Sequence, residues 1–374
     1  MPSDTFATVE ELRELILAEI RRLETMLPQE SKEVYKKLHE PSVRFQLEQH
    51  KPWIESKFPK YAPFFANGSD VVPISVQPTL VEVTDTWHED LFRLARLTWS
   101  LPYSRGYGRR LRFLIMDAAN EKLIGIIGMQ SPPLDFPARD RLYDYLKGQK
   151  VEFVNQTMDI FTLGAVPPYS RLLGGKLVAL AAASDEVRQV YKRKYEGKKT
   201  EMEDRDLPPD LVALTTTSAF GRSSIYDRLK YRSRLVAHSI GYTEGYGSFH
   251  LAPLYPLVRE YLRQQGVTPR SGFGVGPRAV WQTCKIAFRL LDLPSESLKH
   301  GIKRETFLFP LVENLKDYME GRTDQPIHYH QSFADLAAWW KERWLLPRSE
   351  RVDGWHSWDR DTIRQMIIVE AQKQ

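Results

Sequence analysis

Apolar residues recur at helical spacing through the first part of the chain. One helical face collects the apolar positions of VEELRELILAEIRRLETML: Leu12, Ile16, Ile20 and Leu23. Two further amphipathic pieces are predicted near 31–39 and 42–57, with no residue pattern that indicates chemistry. We therefore predict a helical N-terminal extension over residues 1–70, suited to an interaction module.

Short apolar runs between polar or glycine-bearing segments predict β-strands in the middle of the chain. These runs are 80–84, 110–130 with a hairpin turn at 117–122, 157–163, 211–217 and 234–251. Helical patterns lie between them, at 87–99, from about 173, and at 185–195. This order predicts a mixed α/β (α+β) fold, in which helices flank a central mixed sheet and the helix from about 173 packs on it.

The last part of the chain changes composition. Helices are predicted at 253–265 and from Pro277, a short strand near Phe307, and then a tail without glycine-rich turns. The tail holds Trp339, Trp340, Trp344, Trp355 and Trp358. We predict three parts: the extension 1–70, a core 71–321, and a helical, Trp-rich tail 322–374.

Composition limits the class of protein. The chain has 374 residues, 42% of them hydrophobic, and no apolar run is long enough for a membrane span. Glutamates at 10, 11 and 14 occupy the place of a signal-peptide core. Cys284 is the single cysteine, which excludes an intrachain disulfide and a cysteine-clustered zinc site. These features predict a cytoplasmic protein with no membrane partner.

Positive charge is concentrated rather than high overall. The net charge is +5, but Arg and Lys mix with tyrosine in the segments 103–112, 188–199, 222–234 and 259–289. Cations bind phosphates and aromatic rings stack on bases, so this mixture suits nucleic acid, with DNA favoured over RNA. The alternative for any one segment is a solvated basic surface.

The stretch 157–184 is typical of a strand, a glycine-bearing turn and a helix start. Arg171, Gly174, Gly175 and Lys176 precede the alanine-rich run 177–183. The first N–H groups of a helix have no partner inside the helix and favour an anion, so these residues are candidates for cofactor binding. A tight packing turn is the alternative.

A second candidate for phosphate binding follows the strand 211–217. Gly221 ends the strand, and Arg222, Ser223 and Ser224 precede a predicted helix that carries Tyr226. Serines at a helix start usually cap backbone N–H groups. With the arginine beside them, they equally suit a phosphate.

Polar residues near the predicted strand ends are the catalytic candidates, because open α/β sheets bind ligands there. They are Arg139, Asp140, Asp159, Tyr226, Glu244 and His250. One hypothesis has His250, Asp159 and Asp140 hold a divalent metal. Another has His250 or Glu244 act as general base and Tyr226 as acid. The structural alternatives are an Arg139–Asp140 ion pair and a buried strand histidine.

Between about Leu91 and Gly321 the sequence resembles the DruA family, named for a component of Druantia-type anti-phage defence systems. The resemblance is carried by TWSLPYSRGYGRRLRFLIMD, LIGIIGM, ARD, LGAVPPYSRLLGGKLVA, TTTSAFGRSSIYDRLK, GYTEGYGSFHL, FGVGP and LKHGIKRETFLFPL. It implies a role in defence against phage and partners among other defence proteins.

The strand–turn–helix stretch also resembles GNAT-type acetyltransferases. Their acyl-CoA loop has the pattern V-x-x-x-x-R-x-x-G, which Val166, Arg171 and Gly174 match, although Lys176 stands where they have Gly or Ala. This resemblance implies a GNAT-like core, with the ligand open among an acyl-CoA-like molecule, a nucleotide and a divalent metal. The function stays open between a nucleic-acid- or nucleotide-modifying enzyme, a non-catalytic nucleic-acid sensor, and a scaffold subunit.

Overall fold

The structure is a computed structural model. It describes residues 8–26, 31–102, 104–200, 204–206, 208–243, 245, 248–270, 272, 277–298 and 300–368.

Helices occupy both ends of the chain and the connections between strands. The α-helices are α1 (Val9–Met26), α2 (Lys32–Tyr61), α3 (Thr86–Leu97), α4 (Pro137–Asp140), α5 (Lys150–Asn155), α6 (Gly174–Ala182), α7 (Asp185–Tyr195), α8 (Tyr255–Gln264), α9 (Pro277–Leu290), α10 (Leu315–Met319), α11 (Phe333–Trp340), α12 (Leu346–Arg351) and α13 (Asp361–Ile367). Short 3-10 helices cover Ala62–Phe64, Gly68–Asp70, Pro73–Ser75, Phe249–Leu254 and Ser295–Leu298, and a π-helical turn covers Lys341–Leu345.

A mixed sheet forms the centre of the fold, which confirms the predicted fold class. The strands are β1 (Pro78–Glu82), β2 (Arg110–Asp117), β3 (Lys122–Gln130), β4 (Thr157–Ala165), β5 (Ala213–Thr217), β6 (Lys230–Tyr231), β7 (Arg234–Leu235), β8 (His238–Tyr242) and β9 (Glu305–Pro310). Within the described residues, seven of them form one sheet in the order β1-β2-β3-β4-β5-β9-β8, and β6 pairs with β7. The pair β4–β5 is parallel, whereas the neighbouring pairs in the large sheet are antiparallel.

Both faces of the sheet are covered, because the strand side chains alternate between two cores. On β2, Phe113 and Ile115 enter the core under α6, while Leu114 enters the core under α2 and α3. The parallel β4–β5 pair requires a crossover connection, and α6 and α7 provide it. The helix predicted from about residue 173 is therefore α6, and it packs on β3 and β4.

The two helical pieces predicted at 31–39 and 42–57 are instead one helix. α2 runs from Lys32 to Tyr61 with Pro41, Pro52 and Pro59 inside it. Each proline removes one backbone hydrogen bond, but its fixed φ suits a helix. Buried residues on both sides of Pro41, including Leu38 and Leu47, continue the packed face. Tertiary packing therefore outweighs the local break.

The helix predicted after Ser224 is wrong, because residues 219–228 form bends and turns. The Lys176 ammonium donates to the carbonyls of Ser224 and Asp227, each at 3.0 Å, so these carbonyls bond to a side chain. Arg228 has a φ of 52°, in the left-handed region that a helix excludes.

The strand predicted to reach residue 251 ends earlier. β8 stops at Tyr242, which pairs with Glu305, the first residue of β9. Beyond this pair β9 has no residue, and the Thr243 N–H donates to the carbonyl of Arg304, which precedes β9, at 2.9 Å. His250 lies instead in the 3-10 helix Phe249–Leu254, so the strand position predicted for it is wrong.

Both flanking parts of the chain pack against the sheet. Trp340 of α11 is fully buried in the core under α6, and its indole N–H donates to the Leu173 carbonyl at 2.9 Å. Leu47 and Phe58 of α2 share a core with Ile363 of α13. In the part of the chain that the structure describes, no helix combines the length and apolarity that crossing a bilayer requires.

Candidate functional site

A cavity opens where β4 and β5 stop pairing. The two strands pair over Thr157–Ile160 and Ala213–Thr216, but β4 continues to Ala165. Beside this continuation lies a cavity of about 1020 Å³, walled by β4, the start of α6 and the turn after β5. Its volume is at the upper end of typical ligand sites, roughly 300–1,000 Å³.

Asp159 of β4 lines this cavity between two hydrogen-bond donors. The Thr215 hydroxyl of β5 donates to its Oδ1 at 2.9 Å, and the Gln130 amide of β3 donates to its Oδ2 at 3.1 Å. Burial raises the pKa of Asp159 to about 6, although these two hydrogen bonds and the charges of Arg304 and Arg139 act to lower it. A carboxyl group with this pKa exchanges protons readily near neutral pH.

Tyr226 lines the same cavity and is buried against the next strand. Its ring packs on Phe307 and Phe309 of β9, with centroid distances of 5.0 and 5.8 Å. Burial and the charge of Asp159 raise the pKa of the Tyr226 hydroxyl to about 12, while a hydrogen bond with Thr216 opposes the shift. The hydroxyl therefore keeps its proton at neutral pH, beside a carboxyl group that can release one.

Three exposed cations line the cavity from two separate elements. Lys32 and Lys36 are one turn apart on α2, and Arg222 lies in the turn after β5. These elements are in contact, since a Cβ on Gly221 would lie 3.7 Å from the Tyr35 ring. Among the residues that the structure describes, these three side chains form no ion pair. We call Lys32, Lys36 and Arg222 the cationic rim; it is suited to an anion.

Both serines beside Arg222 line the cavity, and the Ser223 side chain accepts a backbone hydrogen bond in the turn. Ser223 Oγ accepts from the Ile225 N–H at 3.3 Å, and its carbonyl accepts from the Asp227 N–H at 3.0 Å. Ser224 is exposed and gives its carbonyl to Lys176. Phosphate binding by the two serines stays a prediction.

The start of α6 contributes to the cavity wall through Gly175 and Lys176. The Gly174 N–H already donates to the Tyr169 carbonyl at 2.8 Å, and the Lys176 N–H donates to the Leu173 carbonyl at 3.0 Å. Two N–H groups of this turn are thus satisfied within the chain, which favours the packing-turn interpretation.

Arg171 of the same predicted loop faces the C-terminal tail rather than the cavity. It donates to the Gly354 carbonyl at 2.8 Å, and its guanidinium carbon lies 5.1 Å from the centre of the Trp358 ring. In this structure Arg171 joins the turn before α6 to the tail.

Arg139 and Asp140 do not line the cavity. Arg139 is fully buried, donates to the carbonyls of Pro133 and Leu134 at 2.9 and 3.0 Å, and pairs with Asp140 at 2.6 Å. Burial acts to raise the pKa of Asp140, but hydrogen bonds from Lys150, the Phe136 N–H and Arg139 lower it overall. The geometry is that of an ion pair that holds the loop.

His250 does not line the cavity either, so the expected convergence of Arg139, Asp140, Tyr226 and His250 is not found there. It is buried, with its ring centre 6.5 Å from that of His300. Burial and the charges of His300 and Arg22 lower its pKa to about 3, so it is neutral at pH 7. Glu244 lies outside the described residues.

The metal site suggested for His250, Asp159 and Asp140 does not form. Across the described ranges, no three His, Cys, Asp or Glu side chains gather closely enough to hold a metal ion.

Most of the basic segment 188–199 lies on α7, at a second cavity of about 250 Å³ that Arg188 and Lys192 line. Three of its cations form ion pairs: Arg188 with Asp185, Lys192 with Glu196 at 3.9 Å, and Arg193 with Glu82. This surface is therefore less free to bind phosphates than the cationic rim.

Several residues in or next to the cavity were not predicted from the sequence. Lys32 and Lys36 belong to the extension in which no chemistry was expected, and only the docking of α2 brings them to the cavity. Gln130 and Thr215 are hydrogen-bond partners set by strand register. The residue that indicates this site in the sequence is Asp159, an acid inside a mostly apolar strand.

Comparisons with known proteins agree on one family. The profile of the DruA family, described as Druantia protein DruA, matches residues 29–321. The Druantia protein DruA of Escherichia coli (strain UMEA 4076-1) is 36% identical over 351 residues, which covers 92% of this chain and 87% of that protein. No solved structure matches the chain. The chain therefore belongs to the DruA family, and with it to anti-phage defence.

Proposed function

We propose that this defence protein acts on nucleic acid or on a nucleotide, bound in the cavity beside β4. The main observation behind this proposal is that a carboxyl group with a pKa of about 6 and the exposed cationic rim line the same cavity. The rim suits the phosphates of the ligand. With the phosphates at the rim, Asp159 faces the part of the ligand that lies inside the cavity.

The chemistry that these groups support is proton transfer. In the proposal, the Asp159 carboxylate accepts a proton from an attacking group, and the Tyr226 hydroxyl donates its proton to the leaving group. With pKa values of about 6 and about 12, Asp159 is largely ionised and Tyr226 keeps its proton at pH 7, which are the starting protonation states of a base and an acid. Asp159 takes the place of His250 as the candidate base, and the role of Glu244 stays a prediction.

A GNAT-like core remains part of the proposal. Its support is the order strand β4, turn, α6 and parallel strand β5, together with the Val166, Arg171 and Gly174 spacing. The internal hydrogen bonds at the start of α6 argue against a pyrophosphate held by the backbone there. We therefore place the phosphates of the ligand at the cationic rim, with an acyl-CoA-like ligand as the alternative.

Salt dependence of binding tests the proposal. Affinity for a fluorescein-labelled single-stranded oligonucleotide is expected to fall linearly on a log–log plot against salt. Changing Lys32, Lys36 and Arg222 to Glu removes three phosphate contacts. The slope of log affinity against log salt is therefore expected to become shallower by roughly 2, at about 0.7 per phosphate on single strands.

The matched control reverses Arg188, Lys192 and Arg193 on α7, whose charges are already paired. It is expected to change the slope less. A larger effect from α7 than from the rim would move the nucleic-acid surface to α7, and no salt-sensitive binding at all would reject the proposal. Binding without any change detectable by mass spectrometry in exposed phage DNA would favour the sensor.

A further inference from the structure

Phe161 is a large aromatic residue whose side chain does not pack into a hydrophobic core of the described residues. It lies on β4 two residues after Asp159, is partly exposed, and lines the same cavity. It belongs to none of the hydrophobic clusters formed by the described residues. A phenyl ring gains most of its stabilisation by burial, so a ring left at a cavity wall has apolar surface available for a ligand.

Two glycines make room for the Phe161 ring. A Cβ on Gly128 would lie 2.6 Å from the ring, and a Cβ on Gly106 would lie 2.9 Å from it. Both distances are shorter than carbon atoms tolerate, so the ring rests on bare backbone from β3 and from the loop before β2. The ring is therefore held in place by its surroundings while part of it stays exposed.

A second ring on the cavity wall is seated in the same way. A Cβ on Gly164 would lie 2.9 Å from the indole of Trp99, which also lines the cavity. The Arg96 guanidinium lies 5.3 Å from the centre of this ring and donates to the carbonyls of Leu101 and Pro102 at 3.1 and 2.8 Å. Arg96 thus fixes the segment that follows Trp99.

We propose that Phe161 and Trp99 form a stacking surface for a nucleobase, whose phosphates lie at the cationic rim. This inference rests on the proposed function and names its ligand more narrowly: a nucleotide unit of a single strand, or one extruded from a duplex. A paired base hides both faces in the stack, whereas an aromatic wall binds an open face. Asp159 and Tyr226 then face the edge of the inserted nucleotide.

The test compares two ligands that differ only in their bases. The full-length protein is titrated with fluorescein-labelled oligothymidylate of about ten nucleotides, within the usual range of single-strand site sizes. It is also titrated with an abasic deoxyribose-phosphate strand of the same length and label. Fluorescence anisotropy at one salt concentration is expected to show oligothymidylate binding roughly 5-fold or more tightly, the effect of one stacked base.

Variants then test whether Phe161 causes this difference in affinity between the two strands. Phe161→Leu keeps an apolar side chain without an aromatic face, and is expected to bind oligothymidylate as weakly as the abasic strand. Phe161→Tyr keeps the face and the difference. Lys36→Glu is expected to weaken both ligands alike. The controls are Trp87→Leu, a partly exposed ring stacked on Phe64 outside the cavity, and Lys37→Glu, the exposed neighbour of Lys36.

Each outcome separates the two proposals. Equal affinity of the wild-type protein for both strands overturns the stacking surface but leaves the proposed function standing. A difference that Phe161→Leu retains, in a variant with a wild-type circular dichroism spectrum, also overturns it. If neither strand binds with salt sensitivity, the proposed function itself is rejected. If Phe161→Leu does not fold, the wild-type comparison and Phe161→Tyr still decide.

Discussion

At the scale of single residues, Asp159 is the position where packing and chemistry conflict. A carboxyl group placed in the central strand of a buried sheet is destabilising when ionised, and two neutral hydrogen bonds compensate only partly. Functional sites are where proteins retain such costs. In the sequence, an acid inside a predicted strand indicated position 159 as a candidate. The pKa of Asp159 also depends on hydrogen bonds from Gln130 and Thr215, and only the strand register places these two residues beside it.

The raised pKa of Asp159 predicts a pH-dependent effect on stability. A pKa raised from 3.8 to about 6 means that the folded state binds the proton more tightly than the unfolded state. The stabilisation is therefore complete below pH 4 and is lost as pH rises to 6. Asp159→Asn removes this loss. Its free energy of unfolding relative to wild type is expected to rise by roughly 2–3 kcal/mol between pH 4 and 7, at about 1.4 kcal/mol per pKa unit.

Urea denaturation at both pH values measures this difference. Asp210→Asn is the control, because a hydrogen bond from His328 lowers the pKa of Asp210 despite its partial burial. The stabilisation that a lowered pKa gives is lost below pH 4, so this variant is expected to change little relative to wild type between pH 4 and 7. A flat or falling difference for Asp159→Asn would show that Asp159 is not held at a raised pKa.

At the scale of elements, the site depends on a turn that the sequence analysis located but interpreted in two ways. Gly174 and Gly175 were weighed as an anion cradle or as a packing turn. A Cβ on Gly174 would lie 2.8 Å from the Tyr169 carbonyl oxygen and 2.9 Å from Ala165 Cβ, which are main-chain and β-carbon atoms that cannot rotate away. Gly174 is therefore required by packing.

Substitution of the two glycines separates these roles. Gly174→Ala is expected to destabilise the protein by roughly 1–3 kcal/mol, the usual effect of overpacking. Gly175→Ala brings its Cβ to 3.2 Å from the flexible Ile225 side chain and gains helix propensity, so its stability is expected to stay within about 1 kcal/mol of wild type. Thermal unfolding measures both. Equal tolerance of the two substitutions would contradict the close packing of α6 on β4.

Element order was predictable, whereas turn structure and helix continuity were not. The strand and helix runs from α3 to β5 have periodic patterns that a local window detects. The turn at 219–228 and the end of β8 depend on Lys176 and on the length of β9, which are contacts distant in sequence. The prolines in α2 are a local signal for a break that distant packing overrides.

At the scale of the whole molecule, the cavity is assembled from parts far apart in the chain. α2 supplies Lys32 and Lys36, β4 and the turn after β5 supply the inner residues, and the tail supports α6 through Trp340. The division into 1–70, 71–321 and 322–374 stays a prediction, although both flanking parts share hydrophobic cores with the sheet. No local pattern could place the extension at the site, because its docking is a tertiary contact.

The central claim is that the cavity around Asp159 performs the defence function, and phage plating measures this most directly. Cells that carry the intact defence system with Asp159→Asn are compared with cells that carry Asp210→Asn, a carboxyl group at the second cavity. Immunoblots check that both variants accumulate to the wild-type level. Asp159→Asn is expected to reduce protection by about 100-fold or more, the usual contribution of a general acid–base group, while Asp210→Asn protects normally. Wild-type protection by Asp159→Asn would contradict the account.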